Sequence, residues 1–188
     1  MIEPKDAEVS VREALKIGYR LIDTANAYVN ERAVGRGIKE SGIERNEIFV
    51  STKLWPTEYE NENAIDETLE RLGLDYIDLL FLHQPAGNYI AGYKMLEKAY
   101  KEGKIKAIGI SNFEGKYIEE ILTKFETKPQ VIQVEAHPYY TQDELRKNLD
   151  KYDIKLMSWY PIGHGDKNLV EENIFNELGN KYNKSAIQ

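Results

Sequence analysis

Asp23, Lys53, His83 and Asn112 each close an apolar run, and they follow one another at intervals of 30, 30 and 29 residues. An acid, an amine, an imidazole and an amide recurring with that period imply four polar groups presented by four equivalent elements. Lys53, in "IFVSTKLW", is the most informative, because a lysine closing a β-branched and aromatic strand needs an anion nearby. Asp23, at the equivalent point of the preceding run, can supply it. Tyr28 stands five residues beyond Asp23, on the loop leaving the same run. A phenol with a pKa of about 10 is a poor acid at neutral pH, but a neighbouring ammonium stabilises the phenolate and lowers that value. His83 ends "IDLLFLHQP", where a lone histidine is more often a satisfied core or loop residue. In the company of Asp23, Tyr28 and Lys53 it completes a proton-donating site.

The elements that must carry these groups alternate. Strand-like runs cover Leu21 to Ala25, Ile48 to Lys53, Ile77 to His83, Lys106 to Asn112, Val131 to His137 and Lys155 to Pro161. Helix-like segments fall at Val9 to Ile17 and then at Glu31 to Glu40, Asn63 to Leu72, Ile90 to Lys101, Tyr117 to Phe125, Gln142 to Lys151 and Val170 to Tyr182. Asn30 is placed as an N-cap, and Gly42, Gly73 and Gly103 as helix stops. Such repetition predicts a parallel α/β fold, satisfied by a doubly wound sheet or by a (β/α) barrel. Polar residues ending successive strands favour the barrel, whose site is built at the C-terminal rim. A doubly wound sheet commonly carries a glycine-rich loop after its first strand, and no G-x-G-x-x-G occurs. Gly35-Arg36-Gly37 lies inside a helical pattern and is read as packing.

With 188 residues, 41% of them apolar, the chain is expected to form a single domain over 1–188. No apolar stretch reaches the roughly 18 residues of a membrane span, and the N-terminus lacks the core of a secretory signal. A cytoplasmic protein with no membrane partner is expected. The absence of cysteine removes disulfides and thiolate chemistry, and His137 and His164 have no metal-ligand spacing, so no metal site is expected. A net charge of −7 argues against a nucleic-acid partner.

The stretches "DTANAYVNE", "STKLW", "LGLDYIDLLFLHQP", "GKIKAIGISNF", "QVEAHPYY" and "MSWYPIGHGD" occur in that order along the chain. In them the chain resembles the aldo-keto reductases. The resemblance implies a (β/α)8 TIM-type barrel reducing aldehydes and ketones with NADPH (NADP as product), with Asp23, Tyr28, Lys53 and His83 as catalytic tetrad. It also implies that Ser111, Asn112 and Gln133 hold the nicotinamide carboxamide, that Trp159 stacks on the ring, and that Asp166 belongs to the loop over the pyrophosphate. Trp55 and Gln84 would line the substrate pocket.

Against the family pattern, six of eight barrel strands are expected, the first and last being missing, and the two exposed barrel edges would allow self-association. The segment gripping the adenosine 2′-phosphate lies outside these residues, so NADPH is implied by the resemblance alone. Two other readings are a catalytically silent domain that binds a nucleotide or a partner, and a Schiff-base aldolase using Lys53. The aldolase is disfavoured because an adjacent Asp23 should raise the lysine's basicity.

Overall fold

The structure is a computed structural model that describes residues 2–163 and 168–187. It divides into two compact units, Met1–Ile132 and Gln133–Gln188.

In the first unit α1 (Pro4–Lys16), β1 (Leu21–Asp23), α2 (Glu31–Ser41), β2 (Phe49–Leu54), α3 (Ala64–Leu72), β3 (Leu79–Leu82), α4 (Tyr89–Lys101), β4 (Ile108–Ser111) and α5 (Lys116–Lys124) alternate. Strands β1 to β4 lie side by side in chain order, and β1–β2, β2–β3 and β3–β4 are all parallel. This order decides between the two expected folds. A doubly wound sheet reverses direction at a switch point, whereas sequential parallel neighbours are the (β/α)-barrel arrangement.

The β3 strand is buried throughout, as a strand covered on both faces must be. Register places Lys53 opposite Phe81 and Phe81 opposite Gly109. A Cβ on Gly109 would lie 2.2 Å from the Phe81 ring, so a large and a small residue share one layer beside Lys53.

Close helix packing explains the glycines inside α2. A Cβ at Gly35 would sit 2.0 Å from the Leu72 carbonyl oxygen, and one at Gly37 would sit 2.6 Å from that of Glu8. The packing expectation for this Gly-Arg-Gly stretch is met. Gly42, Gly73 and Gly103 adopt positive φ of 71°, 65° and 79° where α2, α3 and α4 stop. Asn30 does precede α2, but its side chain makes no cap bond: Oδ1 accepts from Thr24 Oγ1 and Nδ2 donates to the Ile2 carbonyl.

The second unit holds the end of β5 (Val131–Glu135), then α6 (Asp143–Asp150), β6 (Lys155–Trp159) and α7 (Asn173–Tyr182). The helix expected over Val170 to Tyr182 is broken, with a 3-10 turn at Asn168–Glu171 ahead of α7. Among the described residues no helix is long and apolar enough to cross a membrane.

Candidate active site

β1 ends on Asp23 and β2 on Lys53-Leu54, while His83 and Asn112 directly follow β3 and β4. Parallel strands in consecutive order bring these four positions to one rim, and the contacts there are specific. Lys53 Nζ donates to Asp23 Oδ2 at 2.6 Å and to the Thr24 carbonyl at 2.8 Å. Ser51 Oγ donates to Asp23 Oδ1, also at 2.6 Å, so both oxygens of the carboxylate are engaged from β2.

Tyr28 closes the 3-10 turn Asn26–Tyr28. Lys53 Nζ stands 5.6 Å from the centroid of its ring. The next residue, Val29, has φ of 55°, a left-handed conformation that a β-branched residue rarely adopts and that costs of order 1–3 kcal/mol.

The His83 imidazole meets Tyr28 edge-on at 6.0 Å between centroids and Trp55 at 5.0 Å. Burial drives its pKa down to about 4, helped by the Lys53 charge and opposed by Asp23, so the ring is neutral at neutral pH. Its Nδ1 is buried without a hydrogen-bond partner among the described residues. Asn112, itself left-handed at φ 63°, donates from Nδ2 to the His83 carbonyl at 3.2 Å, linking the ends of β3 and β4.

The Lys53 pKa is lowered, chiefly by burial, with the Asp23 charge and hydrogen bond pulling the other way. This corrects the expectation that Asp23 would leave Lys53 more basic than usual: with the lysine only 2% exposed, desolvation outweighs the ion pair. The amine is nevertheless committed to Asp23 and the Thr24 carbonyl, which leaves it poorly placed to attack a carbonyl carbon.

Of the other expected residues, Ser111 is buried at the end of β4 and Trp55 is 38% exposed just after β2. Gln84 is half-buried beside His83. The structure therefore brings together Asp23, Tyr28, Lys53, Trp55, His83, Gln84, Ser111 and Asn112 within the first unit. In the second unit, Gln133 is buried on β5, and Trp159 ends β6 half-buried with its ring against Tyr160. Asp166 lies outside the described residues. No group of three or more His, Cys, Asp or Glu side chains suited to a metal ion occurs among the described residues.

A family model described as the aldo/keto reductase family matches residues 1–183. The chain belongs to the aldo/keto reductase family. It is 45% identical over 187 residues to glyoxal reductase of Bacillus subtilis, covering 97% of this chain and 67% of that protein. It is 34% identical over 183 residues to methylglyoxal reductase DkgA of Escherichia coli, covering 95% and 66%. A solved Bombyx mori aldo-keto reductase in complex with NADP superposes with a TM-score of 0.89 at 30% identity, over 98% of this chain and 68% of that one. The chain thus spans about two thirds of the length of the curated relatives it matches.

Three residues of this candidate site escaped the sequence reading. Ser51 and the Thr24 carbonyl complete the cage around Asp23 and Lys53. Tyr59 is buried behind the loop after β3, where its hydroxyl donates to the Gln84 carbonyl at 2.9 Å and accepts from the Gln84 N–H at 3.1 Å. The available signal was polarity: Ser51-Thr52-Lys53 sets three polar residues in a row inside a buried strand, and buried polar groups find partners.

Proposed function

We propose that the protein carrying this chain is a cytoplasmic oxidoreductase that reduces small aldehydes and ketones to alcohols with NADPH, Tyr28 acting as the general acid. Compounds of the size of glyoxal and methylglyoxal, after which two relatives are named, are the proposed substrates. The observation that carries the reading is the Lys53 ammonium, held 2.6 Å from Asp23 and 5.6 Å from the Tyr28 ring, with the neutral His83 ring in edge contact with that tyrosine.

Tyr28 gives its proton to the carbonyl oxygen. Lys53 stabilises the phenolate left behind, and Asp23 holds Lys53 in place for that task. For His83, leaving a lone pair unpaired on buried Nδ1 costs less than leaving an N–H, so the ring keeps its proton on Nε2 and uses that N–H as a hydrogen bond that orients and polarises the carbonyl. Trp55, partly exposed and in edge contact with His83, supplies an apolar wall for the substrate, and Gln84 supplies the adjoining one.

The donor set also suits a nicotinamide. A hydroxyl from Ser111 and amides from Asn112 and Gln133 match the donors and acceptors of a carboxamide, while Trp159 offers a ring face of the right size. Asp166 is assigned to the pyrophosphate loop by family likeness. When bound, the dinucleotide supplies the hydride.

The test is NADPH consumption by the full-length protein with methylglyoxal, comparing the parent with Tyr28→Phe. Loss of turnover with cofactor affinity within about twofold of the parent is expected, since the phenol acts on the substrate oxygen. Retained turnover would remove Tyr28 from this role. Cofactor binding by a parent that reduces no carbonyl would instead favour a catalytically silent domain.

A further inference from the structure

The loop that carries Tyr28 is tied to β2 at both of its ends, and one of the ties lies on the face away from the site. At the start of the loop, Ser51 and Lys53 hold Asp23, Lys53 holds the Thr24 carbonyl, and the Thr24 N–H donates to the Ser51 carbonyl at 2.9 Å. Across the loop, Thr24 Oγ1 donates to Asn30 Oδ1 at 2.6 Å. At its end stands Glu31, the first residue of α2, whose Oε1 accepts from Thr52 Oγ1 at 2.7 Å.

Thr52 and Lys53 are consecutive in a strand, so their side chains leave opposite faces of β2. Lys53 grips the loop from the site, and Thr52 grips it from the helix layer. Glu31 is 2% exposed, and its second oxygen accepts from Arg71 Nε at 2.7 Å; Arg71 Nη2 in turn donates to Thr68 Oγ1 of α3 at 2.8 Å. A carboxylate buried between helices is costly unless every lone pair is engaged, and an apolar side chain would pack the same space more cheaply. Stability of the α2–α3 contact therefore does not account for it.

We infer that Glu31 is a positioning residue for Tyr28: through Thr52 on one side and Arg71 on the other, it fixes the end of the tyrosine loop against the strand that carries Lys53. The left-handed Val29, one residue after Tyr28, is strained enough to relax if either end of the loop is released. The catalytic part of this inference rests on the role of Tyr28 proposed above, whereas the mechanical part does not.

Thr52 is the residue to change, because its loss leaves Glu31 paired with Arg71 and strands no charge in the core. In the full-length protein, Thr52→Val is expected to raise hydrogen exchange of the amides of residues 24–30 about tenfold, the consequence of losing one hydrogen bond to a charged acceptor, with β3 and α4 unchanged. Its kcat for methylglyoxal reduction should fall about tenfold with the cofactor Kd unchanged, since a displaced acid costs rate and not dinucleotide binding. Thr52→Ser, which keeps the hydroxyl and loses only the methyl, should restore both exchange and kcat.

Exchange in 24–30 that equals the parent's in Thr52→Val would overturn the inference. So would a Thr52→Ser variant that behaves like Thr52→Val, because packing and not the hydroxyl would then matter. If the parent itself reduces no carbonyl, the proposed activity fails and the exchange comparison still decides whether Glu31 holds the loop.

Discussion

Lys53 Nζ lies 2.6 Å from Asp23 Oδ2, yet the two partners are unequally buried: the lysine side chain is 2% exposed and the aspartate 27%. The consequences of removing one or the other therefore differ. Asp23→Asn leaves an ammonium in a buried place with no countercharge, and it is expected to cost about 2–3 kcal/mol, somewhat below the usual penalty for breaking a buried pair because Asp23 is partly solvated. Lys53→Met leaves a carboxylate that still reaches water and Ser51, and should cost about 1 kcal/mol or less. Urea unfolding of the two variants beside the parent checks the order. A less stable Lys53→Met would mean that the aspartate, not the lysine, is the costly partner.

His83 gives the protein a stability that depends on pH. Its imidazole takes up a proton near the usual 6.5 when unfolded and only at about 4 when folded, chiefly because burial disfavours the charged ring. Between those values the unfolded state binds more protons, so the stability contributed is complete above about pH 6.5 and is lost as pH falls towards 4. Melting temperatures of the parent and His83→Gln, followed from pH 7 to pH 4.5, should converge as the medium becomes more acidic. Parallel curves would show that the folded ring titrates normally.

Trp159 is proposed to lie against the nicotinamide. Trp159→Ala should then weaken cofactor binding by about 1 kcal/mol, or roughly fivefold, the order of an aromatic stacking contact. Fluorescence titration with NADPH measures it. An unchanged Kd would leave the indole as packing beside Tyr160.

Gly35→Ala tests how closely α2 and α3 approach. Alanine favours the helix by about 1 kcal/mol, but its methyl would lie 2.0 Å from the Leu72 carbonyl oxygen, which is backbone and cannot turn aside. A net loss of about 2 kcal/mol is expected as the helices separate. A thermal melt at or above that of the parent would contradict the contact.

The rim was legible in the sequence because polar residues closing buried strands with a 30-residue period announce themselves. Asp23, Lys53, His83 and Asn112 all stand at the strand ends that their spacing implied. The choice of barrel over doubly wound sheet was weaker in the letters, since both alternate strand and helix and only the spatial order of β1 to β4 separates them. The direction of the Lys53 shift was misread for a physical reason: a neighbouring aspartate can be seen in a sequence, and the depth at which the pair is desolvated cannot. Asn30 had the right type and place for a cap, but Thr24 and Ile2 claimed its side chain. Glu31, Thr52, Arg71 and Tyr59 went unnoticed because their partners are 21 to 40 residues away and leave no local pattern.

The spacing has a further consequence for how the rim assembles during folding. Ser51 reaches Asp23 across 28 residues, Lys53 reaches Asp23 across 30, and Asn112 reaches His83 across 29. Each link joins one strand–helix repeat to the next, so each closes a loop of nearly the same length. Closure entropy grows only as the logarithm of that length, and no one link carries a larger entropic barrier than another. These links can therefore form one repeat at a time as successive strands dock, and none has to wait for distant parts of the chain to meet.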